Sequence, residues 1–432
     1  MRQLLRVTAS ILLLLAADGC SRRGKEEGGI TVTFWHSFVA STIPALEGLL
    51  RDFERDHPAV HINAQYVPTG DGLIQKLVTA IQSRTAPDIS WIHTDFLDKL
   101  VEADALLPLT PFVNGPEGLS GEEYADIYPP LLEAGTSGGV LYSLPMEATS
   151  LALVYNRGLF REHGLDPDRP PRDWDELRQY AAALTADHDG DGRIDHYGFF
   201  VPVFPASGEL NIWMTLQWTP FLWQAGGVEF SPDGSEARFN SAAGVAALSL
   251  WKSIYDLEDF SKFGIAHDLG FASGKLAMVL DGPWNLPRYR AMKDVEWRVA
   301  PLPAGPAGRA TYLAGEQLVI FRQSAHAAEA WEFIRWMLRP DIQAKFSIAS
   351  GYLPVRKSVT QLQEYRDHLA TDPGLAAFVD EMPMGRSRKQ VGHNRVEINR
   401  ALAGAIEKAT LGKSDPKACL DEAAETVNAL LR

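Results

Sequence analysis

The chain has 432 residues, 46% hydrophobic and 22% charged, with 41 basic against 55 acidic side chains and a formal charge of −14. That length allows two or more domains with real cores, and the composition excludes wholesale disorder. The acidic balance argues against a nucleic-acid backbone as partner, and the single long apolar run, at the extreme N-terminus, excludes a polytopic membrane protein.

Arg2 and Arg6 precede an apolar stretch from Val7 to Ala17, after which small residues lead into Gly19-Cys20. This pattern reads as an export signal over residues 1–19. It resembles a bacterial lipoprotein signal, which implies cleavage before Cys20 and a lipid on that thiol. Asp18 departs from the pattern, and the alternative is an ordinary secretory signal with a chance cysteine. Residues 20–29 are polar and Gly-containing, the composition of a flexible tether. The other cysteine, Cys419, falls in a late helical segment and reads as a buried small residue if Cys20 is acylated.

From Ile30 the pattern alternates between strand and helix. Ile30 to Phe34 is β-rich and ends at Trp35-His36-Ser37; Leu46, Leu49, Leu50 and Phe53 repeat at helical spacing up to His57-Pro58. Val60, Ile62, Ala64 and Tyr66 alternate as a strand, Ile74, Leu77, Val78 and Ile81 mark a helix, and Asp88 to Ile92 is another strand. This β-α-β-α-β order predicts an α/β fold with a mostly parallel sheet, whose ligands sit beyond the carboxyl ends of the strands. Trp35, His36, Ser37, Thr94 and Asp95 fall there.

A second α/β region follows Leu144. Val154-Tyr155 ends a strand, Asp173 is placed to cap a helix from Trp174 to Leu184, and Trp213 to Ala225 is an aromatic helix stopped by Gly226-Gly227. Lys275 to Leu280 reads as a buried strand leading to Asp281-Gly282-Pro283-Trp284, and helices at 327–338, 394–410 and 415–431 finish the chain. With no Pro/Ser-rich linker between the halves, the domains are expected to interleave.

Between these elements, Asp187, Asp189, Asp191, the Arg193 carbonyl and Asp195 match the first nine positions of a calcium loop, with Gly192 at the turn position. The bidentate glutamate of the full motif is replaced by Gly198. The loop is either a structural Ca2+ site or a solvated acidic turn.

Eight segments, in order along nearly the whole mature chain, carry a resemblance: Phe34-Trp35-His36; Ala86-Pro87-Asp88 with Ala105 to Leu109; Tyr155 to Phe160 with Gly164-Leu165; Pro170 to Leu177; Ala225 to Gly227; Gly274 to Met278; Gly282 to Trp284; and Gly351 to Pro354. Together they are similar to the extracellular solute-binding proteins of ABC importers, in the branch of maltose- and glycerol-3-phosphate-binding proteins. The resemblance implies a periplasmic-binding-protein type II fold, two lobes around a ligand cleft with several hinge crossings. By position the crossings are expected near Leu144 to Glu147, Ala300 to Pro303 and Ser350 to Pro354. The lobes are then 30–145 with 303–350 and 146–302 with 351–432. It also implies a monomer held at the envelope, delivering solute to permease subunits.

A sugar presents hydroxyls above flat C–H patches, so its site combines aromatic platforms with carboxylates, amides and Arg. Of the 11 Trp, Trp35, Trp223 and Trp284 stand at element ends near the expected cleft, each a platform or simply core. His36 contacts ligand or is a core or capping histidine; Asp95 binds hydroxyls or caps the next helix; Glu147, with Thr149 beside it, bonds ligand or ties the hinge. Gly315-Glu316 ends a short strand where the family often has a small cleft-facing residue, and Tyr352 occupies a crossing where the family often points a tyrosine at ligand. Some glycerol-phosphate-binding members carry an arginine where this chain has Val391, with Arg388 three residues away. A neutral sugar is therefore favoured, with glycerol 3-phosphate or a glycerophosphodiester as the alternative. A glycan-acting enzyme would need two carboxyl groups set across the scissile bond; no dense catalytic motif is present to support one. A ligand-sensing accessory protein is the remaining reading.

Overall fold

The computed structural model describes residues 29–68, 71–208, 211–258, 267–392, 394–412 and 414–432. The signal, Cys20 and the tether as far as residue 28 lie outside them. Among the described residues no helix is long and apolar enough to cross a membrane.

Two sheets organise the molecule. The first has the order Val60–Tyr66, Ile30–His36, Ile89–Ile92, Gln317–Ile320, Ser143–Pro145. Its first three strands are parallel. Helices Ile43–Asp56 and Asp71–Ser83 return the chain to the same end each time, burying Leu46, Leu49, Phe53, Leu73 and Leu77. Each such side chain contributes about 1.5–3 kcal/mol. The Asp88 carboxylate fixes this corner by accepting the Thr33 N–H at 2.8 Å, the Thr33 hydroxyl at 2.7 Å and the Ser324 hydroxyl at 2.6 Å.

The second sheet has the order Trp297–Ala300, Ala152–Asn156, Leu276–Asp281, Tyr197–Phe199, and only its last pair is parallel. The expected mostly parallel sheet is thus corrected to two mixed sheets. Ala152–Asn156 and Gln317–Ile320 enter straight from the lobe junction, with no helix to return the chain, and they pair antiparallel. Around the second sheet pack Trp174–Leu184, capped by Asp173 as expected, and Asn211–Gln224, Ala242–Leu257, Arg395–Thr410 and Pro416–Leu430. Cys419 is buried in this core.

A small third sheet joins the lobes, with Thr311–Ala314 between Thr149–Ser150 and Gly385–Arg386. It redraws the second and third crossings and the division of 351–432. Ala304 and Ala310 still bond to Arg172 and Gln224 of the second lobe, so the second crossing runs through Thr311–Ala314 to Gln317–Ile320 rather than at Ala300 to Pro303. The chain does not leave the first lobe at Ser350 to Pro354. Val355 accepts the Tyr128 N–H, Arg356 pairs with Asp126 at 2.8 Å, and Val359 and Tyr365 lie in the first core. Helix Pro373–Glu381 sits astride the junction, with Leu375 and Phe378 in the first core and Gly374 against Trp297. The crossing is made at Gly385–Arg386, and the last two helices pack in the second core, with Val396 at the start of the first of them reaching the first core.

Candidate functional site

Strand alternation separates the two aromatic residues that end the first strand. His36 faces the ring of Phe34 at 5.8 Å and Phe38 at 5.8 Å, whereas Trp35 turns to the opposite side. There the Lys76 ammonium lies 4.2 Å from its ring centroid and its Nε1–H donates to Gln65 at 3.2 Å. Trp35 is packing, and His36 points to the junction. Burial lowers the His36 pKa from 6.5 to about 4, and its Nδ1 has no hydrogen-bond partner. Tyr66, in register with His36 and 59% exposed, sets its ring edge-on to it at 6.1 Å. Sequence reasoning passed over Tyr66; the signal was its place at the carboxyl end of the neighbouring strand.

The first crossing forms a floor. Glu147 is fully buried, and burial together with the Glu316 carboxyl alongside pushes its pKa well above the usual carboxylate range. Its Oε1 accepts the Glu316 N–H at 3.3 Å, and His93 lies 3.6 Å from Glu316. The backbones of Ala148 and Leu353 exchange two 2.8 Å hydrogen bonds, which brings Tyr352 over the pair. Tyr352 stacks on Phe346 and meets Phe38 edge-on at 5.7 Å, and its hydroxyl is held protonated by burial near Glu316 and Glu147. Glu147 Oε2, Glu316 Oε2, Thr149 Oγ1, Ser37 Oγ and His36 Nδ1 are all buried without a hydrogen-bond partner beyond the proton that the two carboxyl groups can share. Leaving such groups unsatisfied costs about 1–3 kcal/mol each, so a polar partner brought to these atoms would be stabilising.

Gly315 has a different job from the cleft-facing one expected of it. A Cβ there would stand 1.7 Å from the Glu147 carbonyl, so the glycine lets the second crossing lie directly on the first. Trp284 packs against both cores and meets Trp213 edge-on at 5.4 Å, giving an aromatic wall on the second lobe. Trp213 was read only as part of an aromatic helix. Trp223 is buried in the last turn of that helix, next to Gln224, whose amide holds the Ala310 carbonyl.

A second polar group joins the lobes, and its charges are paired with one another, with Arg395 Nη1 left without a partner. Arg388, expected as a ligand contact, lies between Asp95 of the first lobe at 3.5 Å and Glu229 of the second at 3.1 Å. Arg395 reaches the same two carboxylates at 3.1 and 3.3 Å, while Asn399 donates to Asp95 at 3.0 Å and accepts from Arg388 at 2.7 Å. Asp95 therefore neither caps a helix nor offers a free oxygen. The two guanidinium groups hold its carboxyl below the usual range despite burial. Thr94 lies near Tyr312 beside this network. Arg395, Glu229 and Asn399 were not singled out from sequence, because nothing local distinguishes them from surface residues of a helix and a turn.

On the second lobe, Gly190 and Gly192 take positive φ, and the Asp187 carboxylate accepts both their N–H groups at 2.8 Å. Asp187, Asp189 and Asp195 bring carboxylate oxygens within 4.8 Å of one another. Asp191 turns instead to the Arg193 N–H at 2.8 Å.

Comparison with known proteins gives a consistent result. The sequence profile of the bacterial extracellular solute-binding protein family matches residues 40–344. The sn-glycerol-3-phosphate-binding periplasmic protein of Escherichia coli (strain K12) is 24% identical over 445 residues, covering 99% of this chain and 98% of that protein. A crystal structure of the cyclic α-maltosyl-1,6-maltose binding protein from Arthrobacter globiformis superposes with a TM-score of 0.80 at 28% identity, covering 94% of this chain and 99% of that one. An ABC transporter solute-binding protein from Thermotoga lettingae, bound with α-D-tagatose, gives 0.78 at 25% identity and covers 94% and 100%.

Proposed function

The chain belongs to the bacterial extracellular solute-binding proteins, and from that premise we propose that it captures a neutral sugar or oligosaccharide between its lobes and delivers it to ABC permease subunits. The observation that carries the ligand class is the floor itself: Glu147, Glu316, Thr149, Ser37 and His36 all present uncommitted polar atoms there. A protonated carboxyl both donates and accepts, as do hydroxyls, which suits the alternating donors and acceptors of a polyol. The junction's charges also favour a neutral ligand, since Arg388 and Arg395 are matched by Asp95 and Glu229. The maltosyl and tagatose proteins supply relatives with ligands of this class.

Solute touching both lobes stabilises only the closed arrangement, so binding shifts the population toward the form a permease reads. The floor atoms are buried here, and the lobes must part to admit ligand. In this reading the chain works as a monomer, is exported, and is held at the envelope through lipid on Cys20; it carries out no catalysis. Calorimetric titration against a sugar panel, with product analysis, tests it: saturable binding without turnover is expected, and product release from a glycan would overturn it.

Glycerol 3-phosphate is the second reading. It is favoured by Arg395 Nη1, buried without a partner, and by the Escherichia coli relative. Tight binding of glycerol 3-phosphate with none of any sugar would establish it in place of the first.

We also propose a structural Ca2+ in the acidic loop, supported by the convergence of Asp187, Asp189 and Asp195. Such an ion would offset the mutual repulsion of these carboxylates. Calcium should raise the melting temperature, and Asp189→Ala with Asp191→Ala should abolish the rise; no effect of calcium on the unmutated chain would end the proposal.

A further inference from the structure

Beside that loop three imidazoles and a carboxylate converge. Glu162 ends the helix Arg157–Glu162, His163 follows it, His188 lies within the acidic loop and His196 follows that loop. One ligand atom from each of the four lies within 4.8 Å of all the others. His196 Nδ1 is 3.2 Å from His163 Nε2 and 2.9 Å from His188 Nε2. The Glu162 carboxylate stands 3.8 Å from the His188 nitrogen and 4.0 Å from that of His196.

These separations have a simple meaning. Four ligands about 2.0–2.1 Å from a tetrahedral centre are separated by edges of about 3.3 Å. The His196 nitrogen already sits near that spacing from both other imidazoles, and Glu162, exposed at a helix end, can close its remaining gap by rotation. Hydrogen bonding among the rings is a poor alternative. His163 Nδ1 faces the Ala183 carbonyl at 3.0 Å and so carries the hydrogen, which leaves a lone pair on its Nε2. One N–H on His196 Nδ1 can serve only one of its two nitrogen neighbours, and the other contact is left lone pair to lone pair or N–H to N–H. A cation at the centre takes a lone pair from every ring.

The surroundings hold the rings in place. The His163–Ala183 bond orients that imidazole from behind, as outer-shell partners of metal-bound histidines do. Two backbone hydrogen bonds between Ala186 and His196, at 3.0 and 3.1 Å, close the hairpin, and the His188 N–H is held by Asp195 at 2.8 Å.

We propose that Glu162, His163, His188 and His196 form a binding site for a divalent transition-metal ion, Zn2+ above all, distinct from the carboxylates of the acidic loop in which His188 stands. Imidazole-rich sets select zinc and its neighbours over calcium. The ion clips the acidic hairpin to the end of the helix Arg157–Glu162. The site is independent of the solute cleft.

The test uses the whole mature chain, untagged and stripped with chelator, titrated with Zn2+ and separately with Co2+. One Zn2+ per chain is expected, with a rise in melting temperature and visible Co2+ absorption of tetrahedral strength. His188→Gln and His196→Gln should each weaken Zn2+ binding by at least about tenfold, whereas Asp189→Ala with Asp191→Ala should leave it intact. Sub-stoichiometric uptake, weak octahedral cobalt absorption, unchanged affinity in both histidine variants, or loss with the aspartate variant alone would each overturn the site. Should a histidine variant not fold, the cobalt spectrum of the unmutated chain decides.

Discussion

Two polar groups join the lobes, and they differ in how far their hydrogen-bonding capacity is committed. In the network of Asp95, Glu229, Arg388, Arg395 and Asn399, two cations meet two anions, and both Asp95 oxygens are in use. On the floor of Glu147, Glu316, Thr149, Ser37 and His36, each residue keeps a buried atom with no partner. In the proposed reading the first arrangement is a latch and the second receives the solute. Opening the lobes hydrates all the latch charges together, which offsets the broken bonds, whereas deleting one partner leaves the others buried and uncompensated.

That contrast can be broken most forcefully at the latch. Arg395→Met leaves Asp95 and Glu229 buried with one guanidinium between them, and urea denaturation should show a loss of about 3–5 kcal/mol. A change under 1 kcal/mol would mean the network is no more than a surface pair. The floor responds next, through pH. The folded chain holds His36 at about 4 against 6.5 when unfolded. The unfolded state therefore binds a proton that the folded state refuses as pH falls between these values. Stability should drop by roughly 3 kcal/mol from pH 6.5 to 4 through this residue alone. His36→Gln should remove that component of the slope; an unaltered slope would place the histidine in water. Smallest in energy is the effect on binding. Thr149→Val should weaken solute affinity about tenfold while leaving the urea midpoint nearly unchanged, the reverse of the latch variant.

Much of the first lobe was legible because its elements are local. The spacing of Leu46, Leu49, Leu50 and Phe53, and the alternation from Val60 to Tyr66, recur as a helix and a strand at the expected places. Asp173 caps its helix as the sequence suggested, accepting the Glu176 N–H at 2.9 Å. Strand direction was less legible, because it depends on where the chain comes from rather than on residue pattern. The third crossing was misplaced for the same reason: Val355 and Arg356 stay with the first lobe through partners more than 200 residues away, Tyr128 and Asp126. At the site, the motif Trp35-His36-Ser37 was found, but alternation sends its tryptophan to packing. Arg388 was noticed for its charge, and only the fold reveals that two carboxylates already claim it. Trp284 was singled out by position, while its neighbour Trp213 needed the structure.

The central claim is that the lobes close on a neutral polyol held by the floor. Titration calorimetry of the mature chain with maltooligosaccharides, simple hexoses and sn-glycerol 3-phosphate, repeated on Glu147→Ala, tests it most directly. The account predicts saturable one-to-one binding of at least one sugar, weakened about tenfold to a hundredfold by the substitution. Sugar binding that Glu147→Ala leaves untouched, or tight binding of glycerol 3-phosphate alone, would contradict it.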